Sequence, residues 1–67
     1  MVIPKALMGK WKLLRSFGDN KKIAAIHKDI IEMDVSRAFR KGECSDEVFE
    51  AIAGFYKEKE EKLKAYL

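Results

Sequence analysis

The sequence predicts an all-α protein, built as a long antiparallel helical hairpin preceded by a short N-terminal helix. Three observations lead to this prediction. Apolar residues recur at spacings of three and four through most of the chain, as on one face of a helix. The segment from Arg40 to Phe49 contains the signals of a helix end, a turn and a helix start. The composition, 48% hydrophobic and 37% charged, suits amphipathic helices and is too apolar for a disordered chain.

The turn of the hairpin is the most specific local signal. Gly42 follows Arg40 and Lys41, and glycine readily adopts the left-handed conformation that ends many helices, while cations are favoured beside the last carbonyl groups. Ser45 then has the side chain of a helix N-cap, and two acidic residues follow it in the first helical turn, where the helix dipole favours them. We therefore expect one helix to end near residue 41 and the next to begin near residue 46.

The three predicted helices span about residues 4–17, 20–41 and 46–66. Pro4 suits the first turn of the N-terminal helix, because its missing N–H would have no partner there. The two long helices match in length and pair into the hairpin. The apolar surface of the 20–41 helix is wider than one neighbouring helix can cover, so we expect the remainder to contact the N-terminal helix or another chain. Residues 1–67 form a single small helical domain, whose core is at the lower limit for stability, and oligomerisation into a helical bundle would supplement it.

Charge and cysteine content limit the possible functions. Residues 1–42 carry ten Lys or Arg against four Asp or Glu, and residues 43–67 carry four against seven, so a basic part is followed by an acidic part. The chain has one cysteine and therefore no internal disulfide, and it lacks a long apolar run and a signal-peptide pattern, which predicts a cytoplasmic protein. The sequence shows no catalytic, metal-binding or nucleotide-binding motif. We therefore expect a non-enzymatic protein without a cofactor.

The leading interpretation is a protein–protein interaction module, such as an adaptor, an inhibitor or a co-chaperone-like regulator, that acts through exposed apolar helix surface. Its partner would be a second copy, giving a homodimer, or a different protein in a small hetero-complex. The candidate contact residues are apolar or aromatic side chains that the hairpin itself does not need to bury, and two polar side chains on the apolar face of the 20–41 helix. They are Trp11, Ile26, Ile30, Met33, Asp34, Arg37 and Phe39.

The alternative interpretation is a dimeric nucleic-acid-binding regulator that uses the basic N-terminal two-thirds of the chain. The candidate phosphate contacts are Lys21, Lys22, Arg37, Arg40 and Lys41. A third interpretation places the N-terminal helix on an anionic membrane surface, with Trp11 as its anchor.

Overall fold

The chain forms four α-helices in a computed structural model that describes residues 1–66. In chain order they are α1 (Lys5–Leu14), α2 (Asp19–Ile26), α3 (Glu32–Lys41) and α4 (Asp46–Lys64). The prediction of an all-α protein is confirmed. The radius of gyration of 11.4 Å is close to the value of about 11 Å expected for a folded domain of this length.

The prediction of one continuous helix over 20–41 is wrong. The helix ends at Ile26, residues 27–31 form a non-helical connection, and α3 begins at Glu32. In place of one long hairpin, α2 and α3 pack against each other and both contact α4. Folding the segment back on itself lets α4 cover apolar residues from both halves, so Ile23 and Val35 are completely buried.

The break has a local physical cause. His27 leaves the helical conformation, and Ile31 adopts an extended backbone as the N-cap residue of α3. The Asp34 carboxylate accepts a hydrogen bond from the Ile31 backbone N–H at 3.2 Å, which is one half of a capping box. Glu32 also places negative charge in the first turn of α3, where the helix dipole favours it. These interactions stabilise a new helix start in the middle of the predicted helix.

The turn between α3 and α4 matches its prediction. Gly42 has φ 75°, the left-handed conformation expected at the end of a helix, and the Ser45 hydroxyl accepts a hydrogen bond from the Val48 N–H. The structure adds a contact that the sequence did not indicate. Val2 forms an antiparallel bridge with Glu43, in which the Ile3 N–H donates to the Gly42 carbonyl oxygen at 2.9 Å. The backbone of Val2 and Ile3 therefore holds the start of α1 next to the turn that precedes α4.

The left-handed conformation of Gly42 makes a substitution there informative. A Cβ at this position would meet no atom within 4 Å, so the substitution Gly42→Ala introduces backbone strain without a steric clash. We expect the free energy of unfolding to fall by about 1–2 kcal/mol, the difference between glycine and other residues in this conformation. Urea denaturation measures the change. Gly9→Ala, a helical glycine that also has open space around its Cβ, is the control and should stabilise the protein by up to about 1 kcal/mol.

The core lies where α1 crosses α4 and α3. Trp11 of α1 is 2% exposed, and its ring lies 5.6 Å from Phe49, 6.1 Å from Tyr56 and 6.3 Å from Phe39, measured between ring centroids. The Arg15 guanidinium stacks over the Phe39 ring at 4.5 Å. The remaining fully or nearly buried apolar residues are Ile3, Ile23, Ile30, Val35, Ala38, Val48, Ala51 and Ile52.

Candidate interaction surfaces

Three residues predicted to contact a partner are instead buried within the chain. Trp11, Ile30 and Phe39 are 2%, 5% and 7% exposed and belong to the hydrophobic core. The prediction of Phe39 as a contact residue assumed a single helix over 20–41. Because α3 is a separate helix with its own orientation, Phe39 faces α1 and its ring packs against Trp11. The same contact removes Trp11 as an anchor on a membrane or a partner.

The two polar residues of the predicted interface differ in their surroundings. Asp34 is half-buried, and its carboxylate caps α3 through the Ile31 N–H, which gives it a structural role within the chain. Arg37 is exposed on α3. No ion pair joins Asp34 to Arg37 within residues 1–66.

The other two predicted contact residues are exposed, and the structure adds a third. Ile26 at the end of α2 is 65% exposed, Met33 in the first turn of α3 is 59% exposed, and Ile31 between them is 57% exposed. All three belong to the short segment at which the chain reverses from α2 into α3. We call Ile26, Ile31 and Met33 the apolar corner. Ile31 was not among the predicted contact residues, and it lies in the non-helical connection over residues 27–31.

Charged side chains of both signs lie near Ile26 of the apolar corner. Ile26 borders a shallow depression between the α2–α3 connection and α4, lined also by Lys28, Asp29, Glu47 and Glu50. None of these four charged side chains forms an ion pair within residues 1–66. Ile26 thus lies beside charged side chains, and an apolar centre with a polar rim is common in protein–protein interfaces.

The five basic residues proposed for nucleic-acid contact are exposed but lie in at least two places. Arg37 and Lys41 border a depression with Met1 and Glu43, at the end of the molecule where α1 begins. Lys22 borders a different depression, beside Ser16 and α4, next to the end of α1. The two depressions lie near opposite ends of α1, a helix of ten residues that is about 15 Å long. The structure therefore does not bring these basic residues into one phosphate-binding depression.

A buried polar cluster joins α2 to α4, and the sequence did not reveal it. Asp19, which is 1% exposed, accepts hydrogen bonds from the Ser16 N–H at 2.9 Å and the Tyr56 hydroxyl at 3.3 Å, and it forms an ion pair with the Lys59 ammonium at 2.7 Å. The Lys59 ammonium also donates to the Ser16 hydroxyl at 2.8 Å. The only indication in the sequence was that Lys59 falls within an apolar stripe. Its partner lies 40 residues away in the chain, too far for any periodicity to identify.

The electrostatics of this polar cluster favour a stable ionised carboxylate. Burial alone would raise the pKa of Asp19, but the hydrogen bonds and the charge of Lys59 outweigh it and hold the pKa below the ordinary value of 3.8. Burial, together with the negative charge of Asp19, raises the pKa of Tyr56 far above its usual range. Tyr56 therefore remains a hydrogen-bond donor at neutral pH. Because the bonded Asp19 oxygen already accepts from three groups and the residue is buried, we assign the cluster a structural role.

No family model, curated protein or solved structure matches the chain at a significant level. Residues 1–66 contain no group of three or more His, Cys, Asp or Glu side chains positioned to hold a metal ion. None of the helices in this part of the chain combines the length and the apolar character needed to cross a membrane.

Proposed function

We propose that this chain is a non-enzymatic protein–protein interaction module that pairs with a second copy through the apolar corner. The observation that carries the proposal is the exposure of Ile26, Ile31 and Met33, each more than half exposed, within the few residues that connect α2 to α3. Exposed apolar side chains this close together in the chain favour a contact site, whereas single exposed apolar residues need no explanation.

The charges around the corner support a second copy as the partner. A symmetric dimer places the same patch of each copy against the other, so the patch must complement itself. Lys28 and Asp29 are adjacent in the connection, and Glu47 and Glu50 line the same depression. A two-fold axis through the corner can therefore bring Lys28 of each copy near a carboxylate of the other.

The size of the chain gives dimerisation a physical benefit. A 67-residue domain buries a smaller fraction of its surface than larger domains do, and burying the corner adds apolar contact that the monomer lacks. Three side chains and their rim suit an interface at the small end of the range, below about 1,200 Å². We therefore expect a reversible dimer, which would serve as an adaptor or inhibitor by controlling access to this surface.

Sedimentation velocity across a concentration series tests the proposal. We expect the wild type to shift from monomer to dimer as its concentration rises, and Ile31→Ser to remain a monomer. Serine is a good N-cap residue, so its capping of α3 should offset the partial burial that Ile31 loses and leave monomer stability within about 1 kcal/mol of the wild type. Loss of the dimer would then not result from unfolding.

Phe17→Ser is the matched control, since Phe17 is an exposed apolar residue of the α1–α2 connection, outside the corner. This variant should associate as the wild type does. A wild type that stays monomeric at every concentration would contradict the proposal, as would an Ile31→Ser variant that associates normally.

A further inference from the structure

The connection between α1 and α2 exposes apolar side chains to an unusual degree. Leu13, in the last turn of α1, is 89% exposed, and Phe17, in the connection itself, is 105% exposed. Within residues 1–66, no other large apolar side chain exceeds them in exposure. Both side chains lie outside the hydrophobic core and its packed neighbours, so core packing does not explain their apolar character.

Basic side chains surround Phe17. The depression that it borders is lined also by Lys12 and Arg15, and its one carboxylate, Asp19, is buried and paired with Lys59. The exposed charge of this depression is therefore entirely positive.

A second depression adjoins the first, since Ser16 and Asp19 border both. It adds three more cations and one more carboxylate, which are Lys22, Lys59, Lys62 and Glu58. Together the two depressions hold five basic residues against two acidic ones, an excess of three positive charges that equals the net charge of the whole chain. We call Lys12, Leu13, Arg15, Phe17 and Lys22 the basic turn.

We propose that the basic turn attaches this protein to the surface of an anionic phospholipid bilayer. In the segment from Lys12 to Phe17, basic and apolar residues are interspersed. Cations at this spacing can contact phosphate and carboxylate headgroups while adjacent apolar side chains enter the acyl region. The basic turn shares no residue with the apolar corner, although Ile26 of the corner also borders the second depression.

A bilayer explains the basic turn better than a nucleic acid does. Proteins bind single strands by stacking bases on aromatic rings beside a basic groove, which would use Phe17 and the cations. Leu13 has no π-surface on which a base could stack, whereas an acyl layer accepts it as readily as phenylalanine. The N-terminal helix was predicted to contact a membrane through Trp11, which is buried. We propose instead that the exposed Leu13 and Phe17 make this contact.

Co-sedimentation with vesicles tests this proposal. We expect the wild type to sediment with vesicles of phosphatidylcholine containing phosphatidylserine, and not with vesicles of phosphatidylcholine alone. Phe17→Ser should lower the partition coefficient by about tenfold or more, because the variant lacks the apolar side chain that would enter the acyl region. Lys22→Glu should lower it by about fivefold or more, and added salt should weaken binding of the wild type.

Ile31→Ser serves as the matched control, because it removes an exposed apolar residue away from the basic turn and should leave vesicle binding unchanged. Failure of the wild type to bind phosphatidylserine vesicles would overturn the proposal, and so would unaltered binding by Phe17→Ser. Binding to a single-stranded oligonucleotide at low salt, without vesicle binding, would assign the basic turn to nucleic acid instead.

A fluorescence probe gives an independent readout. Trp11 is buried, so its emission should not change when vesicles are added. In Phe17→Trp the new indole is exposed, and we expect its emission to shift to shorter wavelength with phosphatidylserine vesicles only. An unchanged spectrum would show that residue 17 does not enter the bilayer.

Discussion

Trp11→Ala is expected to have the largest effect on stability of the substitutions proposed, lowering the free energy of unfolding by roughly half. Replacing a buried tryptophan by alanine removes about 3–5 kcal/mol through lost burial and the cavity left behind. A domain of this length has a total free energy of unfolding of roughly 3–10 kcal/mol, so the loss is a large part of it. Trp11 contacts three other aromatic rings, from both α3 and α4, which leaves little possibility for one helix to close the cavity.

Far-UV circular dichroism with urea denaturation measures this loss without relying on the tryptophan signal. Leu13→Ala is the control on the same helix, because Leu13 is 89% exposed, and we expect a change of less than about 0.5 kcal/mol. A Trp11→Ala variant with the stability of the wild type would show that α1 does not pack on the core.

Asp19→Ala is expected to have the second-largest effect, lowering the free energy of unfolding by about 2–4 kcal/mol. Removing one partner from a buried ion pair leaves the other charge buried and unpaired, which typically lowers the free energy of unfolding of a protein by about 3–5 kcal/mol. The value here should be somewhat smaller, because the Lys59 side chain is 24% exposed and water can reach part of it. The Tyr56 hydroxyl would also lose its acceptor.

Glu58→Ala is the matched control for this substitution. Glu58 pairs with Lys62 on the surface of α4, and both side chains are at least 70% exposed. Exposed pairs contribute about 0–1 kcal/mol, so urea denaturation should show little change. Equal effects of Asp19→Ala and Glu58→Ala would mean that the polar cluster does not hold α2 against α4.

The same carboxylate predicts how stability depends on pH. The folded protein holds the pKa of Asp19 below its ordinary value of 3.8, so the unfolded chain takes up the proton more readily. The contribution of ionised Asp19 to the free energy of unfolding is therefore present above pH of about 4, and it declines as the pH falls through the lowered pKa. The Asp19→Asn variant lacks this contribution. Its free energy of unfolding, measured by urea denaturation, should fall less steeply than that of the wild type as the pH decreases below about 4.

Local signals in the sequence were sufficient for the turn between α3 and α4. Gly42 and Ser45 act through their own backbone and nearest neighbours, so their roles follow from residue type alone. The break at residues 27–31 also had a local signal, since Glu32 and Asp34 suit a helix start. The prediction followed the regular spacing of the apolar residues, which continues across the break. Such spacing does not show where a helix ends and the chain changes direction.

Two of the errors in the candidate site follow from that break. Phe39 is buried and Ile31 is exposed because α3 is oriented independently of α2. The contact of Asp19 with Lys59 depends on how α2 meets α4, and nothing within either segment specifies it. Of the surplus apolar residues predicted on the second helix, Ile26 and Met33 are exposed, and the extent of the exposed surface depends on the tertiary packing.

The apolar corner as a contact between two copies is the central claim, and an NMR experiment on a mixture of isotope-labelled and unlabelled chains tests it most directly. Nuclear Overhauser effects filtered for pairs in different molecules report only contacts across the dimer. We expect such effects from the Met33 methyl group to Ile26 or Ile31 of the other copy. Contacts between copies that involve Leu13 or Phe17 in place of these residues, or none at concentrations where the protein is dimeric, would contradict it.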